Sequence, residues 1–96
     1  MALLDEIREK KPQLLALAAR YGVRDIRVFG SVARGEDRPD SDVDLLIAVE
    51  PGVDAFAIGG FQMDASDMLG RFVHLSFQQG QNRALVARLL QGAKPL

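Results

Sequence analysis

Residues 30–47 read GSVARGEDRPDSDVDLLI, a turn followed by the start of a strand, and this order decides the fold. The stretch opens on Gly30 and Ser31, and the segment 33–41 is polar and turn-forming. Residues 43–49 (VDLLIAV) are apolar almost throughout, which predicts the strongest strand in the chain. We therefore expect a tight turn that leads the chain into a buried strand.

Two carboxylates, Asp42 and Asp44, stand at the beginning of this strand. Because side chains alternate between the two faces of a strand, residues two apart send both carboxylates to the same face. Adjacent carboxylates repel each other unless a cation lies between them, and Mg²⁺ is commonly held by one or two carboxylates together with substrate phosphates. The pair is therefore a candidate metal site, although an isolated Asp-x-Asp is more often a solvated strand end.

Gly30 and Ser31 form a candidate phosphate site at the end of the preceding β-rich segment. A glycine at a strand end lets the backbone approach a ligand closely, and a serine that leads into a helical turn offers its N–H and hydroxyl to a phosphate. Taken alone, the dipeptide is better explained as a turn in which Ser31 caps a helix. The combination of Gly-Ser, ten intervening residues and Asp-Val-Asp is more specific.

This combination resembles the minimal nucleotidyltransferases (MNT) of the DNA polymerase β superfamily, whose signature is Gly-Ser-x-Ala-Arg-Gly followed by Ser-Asp-x-Asp-Leu. The match is dense over residues 28–47, and the order of the flanking elements extends the resemblance over most of the chain. The resemblance implies that Gly30 and Ser31 hold the triphosphate of ATP. It also implies that Asp42 and Asp44 are catalytic and bind Mg²⁺ or Mn²⁺.

Arg34 also matches the family motif, which makes it a candidate nucleotide contact, because a guanidinium can donate two hydrogen bonds to a phosphate. Its acidic neighbours in the segment 36–42 favour a second interpretation, in which Arg34 fixes the loop. We prefer this structural role. Ser41, at the far end of the loop, is better explained as the cap of a turn than as a ligand.

The third strand, residues 72–77 (FVHLSF), departs from the family pattern, because His74 stands where the family has a third Asp. Imidazole is a poor ligand for Mg²⁺ but an acceptable one for Mn²⁺ or Zn²⁺, and its unperturbed pKa of about 6.5 suits a general base. His74 is thus a candidate catalytic base or ligand. Alternatively, catalysis is impaired while the nucleotide site is retained, or His74 is merely polar, or a carboxylate comes from elsewhere: Asp64, Asp67 or Glu50.

The periodicity of apolar residues gives the order α, α, β, turn, β, α, β, α. It predicts a second helix that Pro12 opens and Gly22 ends, followed by a first strand over residues 26–31. It also predicts a helix over 56–69 and a last helix that Asn82 caps and Gly92 ends. A chain of 96 residues is normally one domain, so we expect a single domain over 1–96. Its class is a two-layer α+β fold, with a small mixed three-stranded sheet and helices on one face, as in the nucleotidyltransferase fold that the resemblance implies.

Strand alternation also predicts the surroundings of the carboxylates. Their face receives His74 and four apolar side chains: Phe29, Leu46, Ala48 and Phe72. The opposite face packs under the helices and carries Val28, Val43, Leu45, Ile47, Val73, Leu75 and Phe77. With no second layer of helices, we expect the first set to be exposed as a surface for a nucleotide base, a second copy of the chain or a partner protein.

The formal net charge of −1 conceals a segregation of charge. Residues 36–67 carry nine acids and one base, whereas 71–96 carry four bases and no acid, so Arg71, Arg83 and Arg88 are candidate contacts for a triphosphate or an acidic partner. The small net charge argues against direct nucleic-acid binding. No apolar run is long enough to span a bilayer, and the chain has no Cys, so we expect a cytoplasmic protein without membrane attachment.

The resemblance implies a function as well. Small members of the family are often encoded beside a helical HEPN partner as the antitoxin of a toxin–antitoxin pair, which favours transfer of AMP from ATP to a partner hydroxyl. A second hypothesis is a binding module, impaired in catalysis, that neutralises its partner by stoichiometric contact. Nucleotide transfer to a small molecule is less favoured, because 96 residues leave little chain for a separate acceptor pocket.

Overall fold

The computed structural model describes residues 3–38, 40–78 and 83–96. In these residues the chain forms helices and strands in the order α1 (Leu3–Glu9), α2 (Lys11–Tyr21), β1 (Val23–Phe29), α3 (Gly30–Ala33), β2 (Val43–Val49), α4 (Ala55–Leu69), β3 (Val73–Phe77), α5 (Arg83–Gly92) and β4 (Lys94–Pro95). The predicted cap of α5, Asn82, lies outside the described residues. Of the described helices, none combines the length and apolar character needed to cross a membrane.

Local signals fix the ends of the longer helices. Pro12 lies in the first turn of α2, and Gly22 ends that helix by donating its N–H to the carbonyl of Ala18. A proline suits this first turn because its missing N–H would have no partner there. Asp54 caps α4 by accepting a hydrogen bond of 2.9 Å from the N–H of Ala57. These ends confirm the predicted boundaries of α2 and place the start of α4 one residue earlier than predicted.

The sheet is mixed, with strand order β3-β2-β1-β4. β1 is antiparallel to β2 and to β4, whereas β2 and β3 are parallel. The predicted α+β class with a mixed sheet is confirmed, and the sheet has one strand more than the three predicted. The additional strand, β4, is only two residues long and contains Pro95, so neither its length nor its composition distinguishes it from a loop.

One face of the sheet forms the hydrophobic core with α1, α2, α3 and α4. Phe61 and Ala65 of α4 and Leu14 of α2 are fully buried against it. The strands contribute the side chains that alternation assigned to this face, namely Val28, Val43, Leu45, Ile47 and Val73. Leu75 and Phe77 are partly buried beside them. The predicted inner face of the sheet is therefore confirmed.

The other face carries three residues that pair across adjacent strands, Phe29, Asp44 and His74. The prediction that the apolar residues of this face are exposed is wrong for Leu46, which is fully buried, and for Ala48, which is 7% exposed. It holds for Phe72, which is 53% exposed. Helix α5 lies on this side, because its residues line a cavity together with Phe29. Alternation assigns side chains to a face but does not show where a later helix packs.

Candidate active site

Asp44 lies at the centre of the site, on strand β2 between Phe29 of β1 and His74 of β3. Its carboxylate packs against Gly30, where an added Cβ would lie 2.5 Å from Asp44 Oδ2. Gly30 also has a φ of +75°, a conformation that residues with a side chain rarely adopt. Both the backbone angle and the close approach of the carboxylate therefore require glycine at position 30.

The short helix α3 fixes the backbone beside Asp44. Its last two residues, Val32 and Ala33, are buried in the core, while Gly30 and Ser31 are only half-buried. The carbonyl of Gly30 accepts a 3.2 Å hydrogen bond from the N–H of Arg34. The Gly-Ser pair is thus anchored by apolar neighbours and remains at the surface next to the carboxylate.

His74 and Asp42 form a pair at the edge of the site. His74 Nε2 lies 2.9 Å from Asp42 Oδ2, and both side chains are about half-exposed, at 52% and 51%. The ring of Phe72 meets the imidazole edge to face, with centroids 4.6 Å apart. The histidine that stands in the position of the family's third Asp is therefore held by Asp42 on one side and by Phe72 on another.

The surroundings of Asp44 disfavour its negative charge. Burial is the largest cause that raises the pKa of its carboxyl, and the nearby charge of Asp42 raises it further. His74 and Arg34 act in the opposite direction without cancelling the effect. A cation bound at the carboxylates would relieve this cost, because an opposite charge stabilises the ionised form.

The donor set determines which metal the site would hold. Asp42 and Asp44 supply hard oxygen ligands that fit Mg²⁺ or Mn²⁺. Across residues 3–38, 40–78 and 83–96, no group of three or more His, Cys, Asp and Glu side chains is arranged to hold a metal ion. The carboxylate of Asp64 accepts a hydrogen bond from Tyr21, and Glu50 pairs with Arg24 at 3.9 Å. An ion here would therefore complete its coordination with substrate phosphates or water.

The loop between α3 and β2 is tied by side chains. Arg34 Nε lies 2.9 Å from Glu36 Oε2 in an exposed ion pair, an arrangement that agrees with the loop-fixing interpretation. The hydroxyl of Ser41 accepts a 2.6 Å hydrogen bond from the N–H of Arg38, so the predicted turn cap is confirmed. The described part of this loop is therefore held by its own polar residues.

Arg71 has a role that the sequence did not indicate. Its guanidinium donates to the carbonyl oxygens of Ser41 at 3.0 Å and of Arg38 at 3.3 Å. These bonds join the segment just before β3 to the loop before β2, across about 30 positions of sequence. Only the parallel pairing of β2 with β3 brings these residues together, so no local pattern could have identified the contact.

Two cavities border the site. A smaller one of about 130 Å³ lies beside the loop and is lined by Asp40, Ser41, Asp42, Gly70, Arg71 and Phe72. A larger one of about 320 Å³ lies between the end of β1 and α5 and is lined by Phe29, Gly30, Arg34, Arg88, Leu89 and Gly92. The glycine that contacts Asp44 therefore also opens onto a cavity lined by two arginines.

Comparison with known proteins agrees with this geometry. The family model described as "Nucleotidyltransferase domain" matches residues 5–94 of the chain. The chain belongs to this nucleotidyltransferase family. The family resemblance stated from the sequence motif is thereby confirmed.

The nucleotidyltransferase chain has relatives among archaeal proteins. It is 34% identical over 76 residues to the Methanocaldococcus jannaschii protein MJ1217, which is named as a candidate protein adenylyltransferase, and the match covers 78% of each chain. It is 59% identical over 34 residues to the protein adenylyltransferase MntA of Thermococcus cleftensis, a match that covers 35% of this chain and 34% of MntA. The match to the nucleotidyltransferase family model and the names of these relatives therefore both support nucleotidyl transfer as the general reaction.

Solved structures show the same fold. A structure described as a candidate minimal nucleotidyltransferase aligns with a TM-score of 0.86 and 38% identity, covering 100% of this chain and 97% of the other. The structure of a tri-AMPylated HEPN toxin of Shewanella oneidensis in complex with its MNT antitoxin aligns with a TM-score of 0.66. At 16% identity, with 92% of this chain and 69% of the other covered, the second likeness extends to the fold alone.

Proposed function

We propose that this nucleotidyltransferase transfers AMP from ATP to a hydroxyl group of a HEPN-type partner protein and acts as its antitoxin. The observation that carries the proposal is the packing of the Asp44 carboxylate against Gly30, the glycine of the family's triphosphate motif. The names of the adenylyltransferase relatives support AMP as the transferred group. The likeness to a complex of an MNT antitoxin with an AMPylated HEPN toxin supports a protein acceptor.

Each of the two motifs would bind a different part of the metal–nucleotide complex. Gly30 and Ser31 hold the triphosphate with backbone N–H groups and the Ser31 hydroxyl. Asp42 and Asp44 hold Mg²⁺ or Mn²⁺, which when bound stabilises the charge on the attacking and leaving oxygens. The acceptor oxygen forms a bond to the α-phosphorus of ATP, the bond from that phosphorus to the β-phosphate oxygen breaks, and pyrophosphate leaves.

Transfer also requires a group that takes the proton of the acceptor hydroxyl. We assign this step to His74, which is half-exposed and contacts Asp42 through Nε2. When Nε2 carries the hydrogen that bonds to Asp42, Nδ1 is the nitrogen with a free lone pair. In this arrangement Asp42 orients the ring and Nδ1 accepts the proton.

The test measures label transfer from ATP labelled at the α-phosphate. The chain is incubated with the product of the neighbouring gene, tested as the HEPN-type partner, in Mg²⁺ and separately in Mn²⁺. We expect label on the partner, and its loss in Asp44→Asn. The matched control is Asp5→Asn, which changes an exposed aspartate of α1 and should leave the labelling intact. A wild-type chain that binds the partner and transfers no label with either ion would refute the proposed activity.

A second candidate function is stoichiometric neutralisation of the partner without transfer. One observation favours it: within the described part of the chain, no third carboxylate joins Asp42 and Asp44 in a metal-binding group. His74→Asp separates the two functions. It should raise labelling if the missing carboxylate limits catalysis, and lower labelling at least tenfold if the imidazole is the base, since general base catalysis contributes about 10²–10⁴-fold.

A further inference from the structure

We infer that Arg88 of α5 binds the β- and γ-phosphates of the nucleotide through the cavity of about 320 Å³ that opens at Gly30. This inference rests on the proposed function, because it assumes that a nucleoside triphosphate lies at Gly30 and Ser31. It assigns a ligand contact to a helix that lies outside the sequence motif.

The cavity lies next to the proposed triphosphate site. Gly30 lies at its edge and at the same time contacts Asp44, so a nucleotide held at this glycine extends along the cavity wall. Phe29 and Leu89 form apolar walls, and Arg34 and Arg88 supply the charged groups. None of the lining residues is acidic, so the cavity suits an anion.

The guanidinium groups of the two arginines in the cavity differ in whether they already have a partner. Arg34 is already paired with Glu36 at 2.9 Å. Within the described residues, by contrast, the guanidinium of Arg88 has neither a hydrogen bond nor an ion pair. A guanidinium beside apolar walls matches a phosphate well, because its planar group donates two parallel hydrogen bonds to phosphate oxygens.

The structure also separates Arg88 from the other basic candidates of the segment 71–96. The guanidinium of Arg71 bonds to backbone carbonyls of the loop before β2. Arg83 lies on the same helix as Arg88 but does not line the cavity. Five residues of helix correspond to a rotation of about 140° between the two side chains. Arg83 is therefore a matched control for Arg88.

The test is calorimetric titration of the full chain with ATP, ADP and AMP in Mn²⁺. Arg88→Gln should weaken ATP binding about tenfold or more, since charged hydrogen bonds to phosphate are among the stronger ones. A tenfold loss corresponds to about 1.4 kcal/mol. AMP binding should change less than ATP binding, and Arg88→Lys should recover part of the loss. Arg83→Gln should bind all three nucleotides as the wild type does.

The outcomes distinguish this inference from the proposed function. If the wild type binds ATP and transfers AMP while Arg88→Gln and Arg83→Gln bind ATP equally, the inference is wrong and the proposed function stands. Equal losses for ATP and AMP would place Arg88 at the part that both nucleotides share, namely the base, the ribose or the α-phosphate, and would overturn a contact with the β- and γ-phosphates. A wild type that binds no ATP refutes both. Circular dichroism of each variant checks that it is folded. Because the side chain of Arg88 is exposed, we expect its replacement to leave the fold intact.

Discussion

Replacing Gly30 with alanine tests whether the contact between this glycine and Asp44 builds the site. An L-residue in the left-handed conformation costs about 1–2 kcal/mol, and Gly30 has a φ of +75°. The new Cβ would also lie 2.5 Å from Asp44 Oδ2, so the carboxylate must move. Crowding of this kind adds about 1–3 kcal/mol. Gly30→Ala should therefore lose more stability than its backbone angle alone explains.

Gly35 provides a control with the same backbone requirement. Its φ is +72°, and an added Cβ would have nothing within 4 Å among the described residues. Gly35→Ala should therefore lose only the backbone contribution of about 1–2 kcal/mol. For a domain of this size, each 1 kcal/mol lowers Tm by about 4–8 °C. The difference in Tm between the two variants measures the contact with Asp44.

Thermal and urea denaturation measure the stability of each variant. ATP labelled at the α-phosphate measures how much AMP each variant transfers to the partner. Gly30→Ala should lose transfer because Asp44 is displaced, whereas folded Gly35→Ala should retain it. The reasoning is refuted if the two variants lose the same stability and both still transfer AMP. In that case the close approach of Asp44 to Gly30 would have no functional consequence.

The remaining predictions concern stability and are checked by urea denaturation. Phe61→Ala should cost about 3–5 kcal/mol, since Phe61 is fully buried, whereas Phe56→Ala, at a position 91% exposed, should change little. Equal losses would contradict the packing described. Gln78→Ala removes a 2.7 Å hydrogen bond to Asp25. Burial raises the pKa of Asp25, but bonds from Gln78 and from a neighbouring arginine outweigh it and leave the pKa lowered. This stability is present at neutral pH and is lost as pH falls through the lowered pKa, so the variant should be less stable than wild type by about 1 kcal/mol at pH 7, and this difference should shrink in acid. A difference that persists in acid would contradict the ionic origin. Tyr21→Phe should lose about 1 kcal/mol, because the hydroxyl donates to a carboxylate of α4; no loss would show that this bond is not stabilising.

The features that could be predicted from sequence are those with a local cause. Pro12 and Gly22 mark the ends of α2 through the chemistry of single residues. The alternation over residues 43–49 predicted which side chains of β2 face the core, because each side chain of a strand can lie on only one of two faces. In the same way, the spacing of Asp42 and Asp44 put both carboxylates on the side that meets His74.

The features that could not be predicted depend on tertiary packing. The cavity at Arg88 depends on where α5 lies, and the helix's own pattern does not give its docking site. The bonds of Arg71 depend on the register between β2 and β3. The pairing of His74 with Asp42 has the same origin. The sequence indicated these residues as candidates but not their partners.

The position of Asp44 has a consequence for folding as well as for chemistry. It lies on the one strand that pairs antiparallel with β1 and parallel with β3, so the candidate site exists only when both pairings are intact. A ligand that binds only this assembled state stabilises it by mass action, to an extent set by the ratio of ligand concentration to Kd. Nucleotide binding at this site would therefore stabilise the pairing of all three strands. Conversely, any local opening that separates β1 or β3 from β2 would dismantle the site and release the nucleotide.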